Sequence, residues 1–269
     1  MNICIDFGIT NTDIIISNDR KKKFHTLPSN EISENYLEKI FQNINIKIED
    51  VKNIAVTGGK SSDLDDSFKS VPVTKINEID AIGYGAMDLY KIKEKSFVVV
   101  SAGTGTACVY FDGINFNHLG GISVGGGMLK GLAKYILNIS SIKAFEKLAL
   151  SGNRKNIDYL IGDVVNDIGS LYPGVTAANF SKLTNDSQSE PDIAASLANM
   201  IGEVIGTVSY LNTLLCNEKT VYFLGRTSIN PIVKKGIEDR LKLANISGKF
   251  EENREYGNVM GALKIIEAN

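Results

Sequence analysis

Asn2-Ile3-Cys4-Ile5-Asp6-Phe7-Gly8-Ile9-Thr10-Asn11-Thr12 and Phe97-Val98-Val99-Val100-Ser101-Ala102-Gly103-Thr104-Gly105-Thr106 share one pattern, an apolar strand ending in a turn of glycines and small hydroxyl residues. Such a turn leaves backbone N–H groups without side-chain cover, and those donors suit phosphate oxygens. Taken singly, either is an ordinary tight turn with Asp6 as a local cap. Taken together, they predict a nucleotide held between two lobes. Asp6, at the end of the first strand, is placed to hold Mg²⁺ directly or through water and to offset the phosphate charge.

Outward from these turns the pattern repeats. Residues 2 to 7, 12 to 18 and 22 to 27 predict an antiparallel three-strand opening. A helix through Tyr36-Leu37-Glu38-Lys39-Ile40-Phe41 follows, then a strand at Ile54-Ala55-Val56 ending in Thr57-Gly58-Gly59, another at 71 to 76, and a helix from about 80 to 90. Phe97-Val98-Val99-Val100 begins the same three-strand entry again, with two strands around Asp112-Gly113 and a helix after Gly125-Gly126-Gly127. Residues 140 to 171 read as mainly helical and 193 to 216 as one long helix. A strand at 220 to 224 is stopped by Gly225, and two closing helices span 231 to 243 and 257 onward. No low-complexity linker separates the halves, so they are expected to share a long interface around a cleft.

With 269 residues, 43% of them hydrophobic and 22% charged, the chain can bury a substantial core. A net charge of -2 favours neither nucleic acid nor an anionic membrane surface as partner. Arg20-Lys21-Lys22-Lys23 reads as a solvated hairpin turn. No run approaches the ~20 apolar residues of a spanning helix, and the first residues enter a strand, so a cytoplasmic protein is expected. Cys4, Cys108 and Cys216 read as small buried hydrophobes, and two histidines rule out a histidine-rich metal centre.

Other motifs are narrower. Gly59-Lys60-Ser61 is no P-loop, because Ile54 stands where its first glycine belongs, and no Gly-x-Gly-x-x-Gly fingerprint occurs. Gly125-Gly126-Gly127 at a helix start fits either an anion site or close packing. Gly225, with Thr227 and Ser228 after it, could let a nucleoside rest on bare backbone. Glu78 and Asp80 stand at a helix start, where one carboxylate can cap the helix while the other faces the cleft for acid/base work.

Read together, these segments resemble the type II pantothenate kinases of the actin-like kinase superfamily. The resemblance runs over nearly the whole chain. It is carried by Gly103-Thr104-Gly105-Thr106 with Tyr110-Phe111-Asp112-Gly113, by Gly120-Gly121-Ile122-Ser123-Val124-Gly125-Gly126-Gly127-Met128, and by Thr176-Ala177-Ala178-Asn179-Phe180, with Glu78-Ile79-Asp80-Ala81 and Gly261-Ala262-Leu263 in support. It implies an α/β fold of duplicated actin-like, ribonuclease H-like lobes, 1–95 and 96–269, the second with a helical insertion, around a central nucleotide cleft. It also implies a homodimer that transfers the γ-phosphate of ATP, with Mg²⁺, to pantothenate in the first step toward coenzyme A. Glu78 would be the catalytic base, Asp6 the metal ligand, and His118, Ser123 and Asn179 the substrate contacts. Gly8, Thr10, Asn11, Gly103, Thr104, Gly105, Thr106, Gly125, Gly126, Gly127, Gly225 and Ser228 would hold the nucleotide.

Three positions depart from the family pattern. His118 stands where an arginine is usual, Ile9 replaces a glycine, and Asp13 replaces the lysine of many bacterial members. An acid at position 13 should repel ATP unless it faces away or binds metal. These changes leave open a kinase of another alcohol, such as pantetheine or a sugar, or a nucleotide-binding relative without turnover.

Overall fold

A computed structural model describes residues 1–18, 21–166, 172–182 and 189–268. The opening strands form where their patterns place them: β1 (Asn2–Phe7), β2 (Asn11–Asn18) and β3 (Lys21–Pro28), paired antiparallel in sequence order. Lys21 to Lys23 lie within β3, exposed, rather than in a turn, and Arg20 falls outside the described residues. Helix α1 (Glu34–Ile44) starts at Ser33, whose side chain accepts from the amide of Tyr36, and stops at Asn45 in the left-handed conformation. Then come β4 (Asn53–Thr57), the short β5 (Ser67–Phe68), β6 (Val71–Lys75) and α2 (Glu78–Tyr90).

The second half repeats this plan with β7 (Phe97–Ala102), β8 (Thr106–Phe111) and β9 (Phe116–Ile122), followed by α3 (Gly126–Leu137) and α4 (Ile142–Ser151). A two-stranded ribbon of β10 (Tyr159–Leu160) and β11 (Thr176–Ala178), with the one-turn α5 (Ile161–Val164) between them, interrupts what the sequence reads as helix. Residues 167 to 171 of that reading lie outside the described residues. Helix α6 (Glu190–Leu215), β12 (Thr220–Leu224), α7 (Pro231–Leu243), β13 (Ser247–Lys249) and α8 (Gly257–Ala268) complete the chain.

The duplication is explicit in the strand orders. The first sheet runs β3-β2-β1-β4-β6-β5 and the second β13-β12-β7-β8-β9. In each, an antiparallel three-strand entry is extended by two parallel strands from its first strand. The first strand of each entry is central and buried on both faces, which is why it reads as an apolar run and not as an alternation.

Alternate residues of those strands choose the layers. Ile3, Ile5 and Phe7 pack beneath α1, whereas Cys4 packs on the opposite face with Val259 and Leu263 of α8. In the second sheet Val98 and Val100 face α3, α6 and α7, and Phe97 and Val99 face Ile82 and Ala86 of α2. The closing helices are therefore exchanged: α2 covers the second sheet and α8 the first. They cross each other between the sheets. Cβ atoms on Gly85 or Gly261 would collide with the backbone carbonyls of Gly257 and Ala81, so only glycine permits this crossing. Cys4 and Cys108 are buried and Cys216 is partly so, in keeping with their reading as small hydrophobes.

Among the described residues α6 is the one helix long and apolar enough to cross a membrane, and 67% of its most apolar window is buried inside the molecule. Its packing explains the composition: Leu197, Ile201 and Ile205 sit in the core of the second lobe beside Val233 and Ile237 of α7.

Candidate active site between the lobes

Register places four polar side chains abreast at the end of the first sheet: Thr26 of β3, Asp13 of β2, Asp6 of β1 and Thr57 of β4. Asp6 shares the face of Cys4, and Asp13 that of Ile15, so both look toward α8 and the cleft rather than toward α1. A shift of one residue in β1 would bury Asp6 beneath α1. Burial pushes the Asp6 carboxyl up to about 8, and the nearby Glu78 and Asp13 carboxylates push the same way against a hydrogen bond from Asn258. Burial also raises Asp13, although a hydrogen bond from Thr26 and the charge of Arg226 oppose the rise. The Thr57 hydroxyl, fully buried in this row, has no hydrogen-bond partner among the described residues.

The two turns quoted at the outset meet over this row. Thr10 and Thr104, 94 positions apart, bring their hydroxyl oxygens to 2.9 Å. The amides of Gly8, Ile9, Thr10, Gly103, Thr104 and Gly105 donate to no other backbone group among the described residues. These are the uncovered donors that the composition of the turns predicts. Ile9, 82% exposed, projects outward at the tip of the first turn, so its side chain does not fill the space between the turns. Asn11 begins β2 beside this tip.

The glycine run ahead of α3 behaves differently. The amides of Gly126 and Gly127 donate to the carbonyls of Gly103 and Thr104, both at 2.9 Å, and a Cβ on Gly125 would lie 2.7 Å from the Thr104 oxygen. Close packing of one turn on the other thus uses the two amides that an anion at this helix start would take first. Thr106 is likewise tied by its hydroxyl to the Val124 carbonyl at 2.8 Å. Gly225, at φ +87°, lies against the backbone of Ala102, where no side chain fits, and Thr227 bonds the Gly103 carbonyl at 2.6 Å. Ser228 is fully buried, donating to the Gly225 carbonyl and accepting from Arg254 Nε. Its hydroxyl shapes the Gly225 turn and has no access to a ligand.

Glu78 is the first residue of α2 and is exposed, while Asn77 caps the helix by accepting from the Ile79 amide at 2.8 Å. The capping role expected of Glu78 or Asp80 therefore belongs to Asn77, and Glu78 is left without a hydrogen-bond partner within the described chain. His118 is exposed on β9, two residues from Phe116, whose ring packs on Gly83 of α2, so it shares the α2 face of the second sheet. Ser123 is exposed in the loop before α3. Asn179 directly follows β11 in the ribbon region that Asp158 ties, through Phe180 and Ser196, to α6. Its amide oxygen is buried without a partner among the described residues.

Three contributors escape sequence reading. Asn258 bonds Asp6, Arg226 pairs with Asp13 at 2.6 Å from the other lobe, and Gly58 leaves room that a Cβ would take from the Asp6 carboxylate. Each acts across a tertiary contact, so no local pattern marks it. A cavity of about 620 Å³ opens beside the first turn, lined by Gly8, Ile9, Thr12, Glu31, Gly59 and Lys60 among others. Gly59-Lys60, rejected as a P-loop, thus lines a cavity that reaches the first turn from the α1 side of the sheet.

Two sheets built on one five-strand order, crossed helices between them and paired glycine–threonine turns at their junction define the actin-like class of two-lobed phosphotransferases and ATPases. Solved structures with this fold include the activator of the 2-hydroxyisocaproyl-CoA dehydratase from Clostridium difficile with bound ADPNP, at TM-score 0.64 and 15% identity over 100% of this chain and 97% of that one. A ROK family glucokinase from Streptomyces griseus in complex with glucose and AMPPNP matches at TM-score 0.58 and 12% identity over 100% and 99%. The Fumble family model matches residues 9–233, and the chain belongs to that family, the type II pantothenate kinases. Its relatives include the type II pantothenate kinases of Bacillus thuringiensis subsp. konkukian, 31% identical over 97% of this chain and 96% of that protein, and of Staphylococcus epidermidis, 28% identical over 98% and 99%.

Proposed function

We propose that this chain transfers the γ-phosphate of ATP to the primary hydroxyl of pantothenate, forming 4'-phosphopantothenate on the route to coenzyme A. The observation that carries the reading is the meeting of the two turns at Thr10 and Thr104, their amides unbonded to other backbone groups among the described residues, with Asp6 at the end of the first strand and Glu78 nearby. Fixed N–H donors of this kind stabilise charge on a transferring phosphoryl group without reorganising. The nucleotide would lie on the turns at 8–11 and 103–105, with Gly225 as bare backbone beneath the nucleoside and Gly125–Gly127 and Thr106 holding the second turn in place. Glu78, unpaired at the start of α2, would take the hydroxyl proton as the acceptor oxygen bonds the γ-phosphorus and ADP leaves.

The residues fit a divalent cation. Asp6 is a desolvated carboxyl crowded by two other acids, and the buried Thr57 hydroxyl beside it lacks a partner among the described residues. Among the described residues no three His, Cys, Asp or Glu side chains are arranged as a self-sufficient metal cluster, so Asp6 would share Mg²⁺ with phosphate oxygens and water. When bound, the ion would supply neutralisation of phosphate charge. His118 and Ser123 are the proposed acceptor contacts, and Asn179 offers an unused amide oxygen for the same ligand. The working division is a lobe at 1–95 and a lobe at 96–269 with a helical insertion, α8 returning to the first sheet. Exposed Tyr135, Ile136, Ile142, Leu150, Leu211 and Leu215 on α3, α4 and α6 support a homodimer, and a cytoplasmic, small-molecule enzyme is the setting of this reading.

The test is direct. The purified chain is incubated with ATP, Mg²⁺ and, separately, pantothenate, pantetheine or N-acetylmannosamine, and products are identified by mass spectrometry. Phosphopantothenate formation is expected; phosphorylation of another alcohol alone, or of none, ends the pantothenate reading.

A further inference from the structure

The acid at position 13 does not stand free in the cleft. Arg226 of the second lobe reaches across it, donating from Nη2 to Asp13 Oδ1 at 2.6 Å and to Thr26 Oγ1 at 3.1 Å. Thr26 donates in turn to Asp13 at 2.6 Å, and the guanidinium lies 5.7 Å from the Tyr256 ring centroid. Arg226 itself is anchored between Gly225, pressed on the end of β7, and Thr227, bonded to the Gly103 carbonyl. It therefore sits between the second turn and the row of Asp13 and Asp6. Only Nη2 of its three nitrogens has a hydrogen-bond partner among the described residues, and its side chain is 38% exposed. A guanidinium has five N–H donors, so those on Nε and Nη1 remain for a ligand.

Resting on the phosphotransfer reading, we propose that Arg226 is the phosphate-contacting cation of this site and Asp13 its positioning residue, the pair joining the two lobes. Arginine suits the role because one edge of its fork can hold a carboxylate while the remaining donors address phosphate oxygens. Asp13, neutralised by this pair, ceases to repel the nucleotide. The orientation also binds the lobes together directly beside the phosphates, so the cation arrives with the second lobe's turn.

The experiment compares ATP and adenosine, which differ only in the phosphates, by calorimetry on the full chain. Arg226→Ala is expected to weaken ATP binding about tenfold or more with adenosine within twofold, because charge-assisted phosphate contacts are lost and the nucleoside contacts are not. Arg226→Lys should recover part of the loss. Asp13→Asn should raise the KM for ATP more than it lowers kcat. Since Arg226→Ala leaves a buried carboxylate unpaired, the neutral pair Asp13→Asn with Arg226→Ala is measured alongside and should show the same selective loss of ATP. Affinity for ATP within twofold of wild type in that double variant, or equal weakening of ATP and adenosine, overturns the proposal. Wild-type turnover of pantothenate is scored separately, so loss of the substrate reading and loss of the Arg226 assignment are distinguishable.

Discussion

Replacing Asp6 by Asn removes the carboxyl whose titration the fold displaces furthest among the acids described, from 3.8 to about 8. The folded protein holds this proton at pH values where the unfolded chain has released it. An acid raised on folding makes stability highest at low pH, and that contribution is lost as pH rises from 3.8 through about 8, above which it is flat. Between pH 6 and pH 8 the difference integrates to about 2 kcal/mol, or roughly 4–8 °C in Tm for a chain of this size. Melting the ligand-free wild type and Asp6→Asn across that range should show the wild type falling by this amount relative to the variant. At pH 7 Asp6 is about nine-tenths protonated, so binding ATP with Mg²⁺ should release close to one proton in wild type and almost none in the variant. Calorimetry in buffers of different ionisation enthalpy reads that number. Parallel melting curves from pH 6 to pH 8, together with no proton release from wild type, would refute the account of a desolvated, acid-crowded carboxyl awaiting a cation.

Glu78→Gln should lower kcat by about 10²- to 10⁴-fold while changing ATP affinity little, since Asn77, not Glu78, caps α2; unchanged turnover in a coupled assay removes Glu78 from the base role. The same variant takes away one of the charges raising Asp6, so the Asp6-dependent stability change should move to lower pH in the melting series. Gly261→Ala drives a methyl into the Ala81 carbonyl at the crossing of α2 and α8, and urea unfolding should report a loss of about 1–3 kcal/mol. His118→Arg adds a permanent charge and a bidentate fork on the α2 face of β9, and kcat/KM for pantothenate should rise; a large fall would assign His118 to a different ligand.

The strands were legible in the sequence because a central strand must be apolar along its length and each ends at a glycine turn that few other conformations tolerate. The boundaries of β12 and α7 match the reading from Gly225 and Pro231, and the three-strand entries at 2 and 97 agree to within a residue or two. The ribbon of β10 and β11 was not legible. Each strand has two or three residues, too few to show a period, and its support comes from Asp158 and α6 rather than from its own composition.

By itself, then, the sequence determined two copies of one lobe plan and the paired turns with Asp6 ahead of the first, because these depend on periodicity and turn chemistry within short stretches, whereas the proposed role of Glu78 rests on the family resemblance. Tertiary structure alone decided that α2 and α8 exchange sheets through glycine contacts, that the Gly126 and Gly127 amides are spent on the second turn, and that Asp13 is answered by Arg226. Those outcomes turn on which distant groups meet and what water they exclude. The partner of Asp13 lies 213 residues away, and only the closing of one lobe on the other brings it within a hydrogen bond.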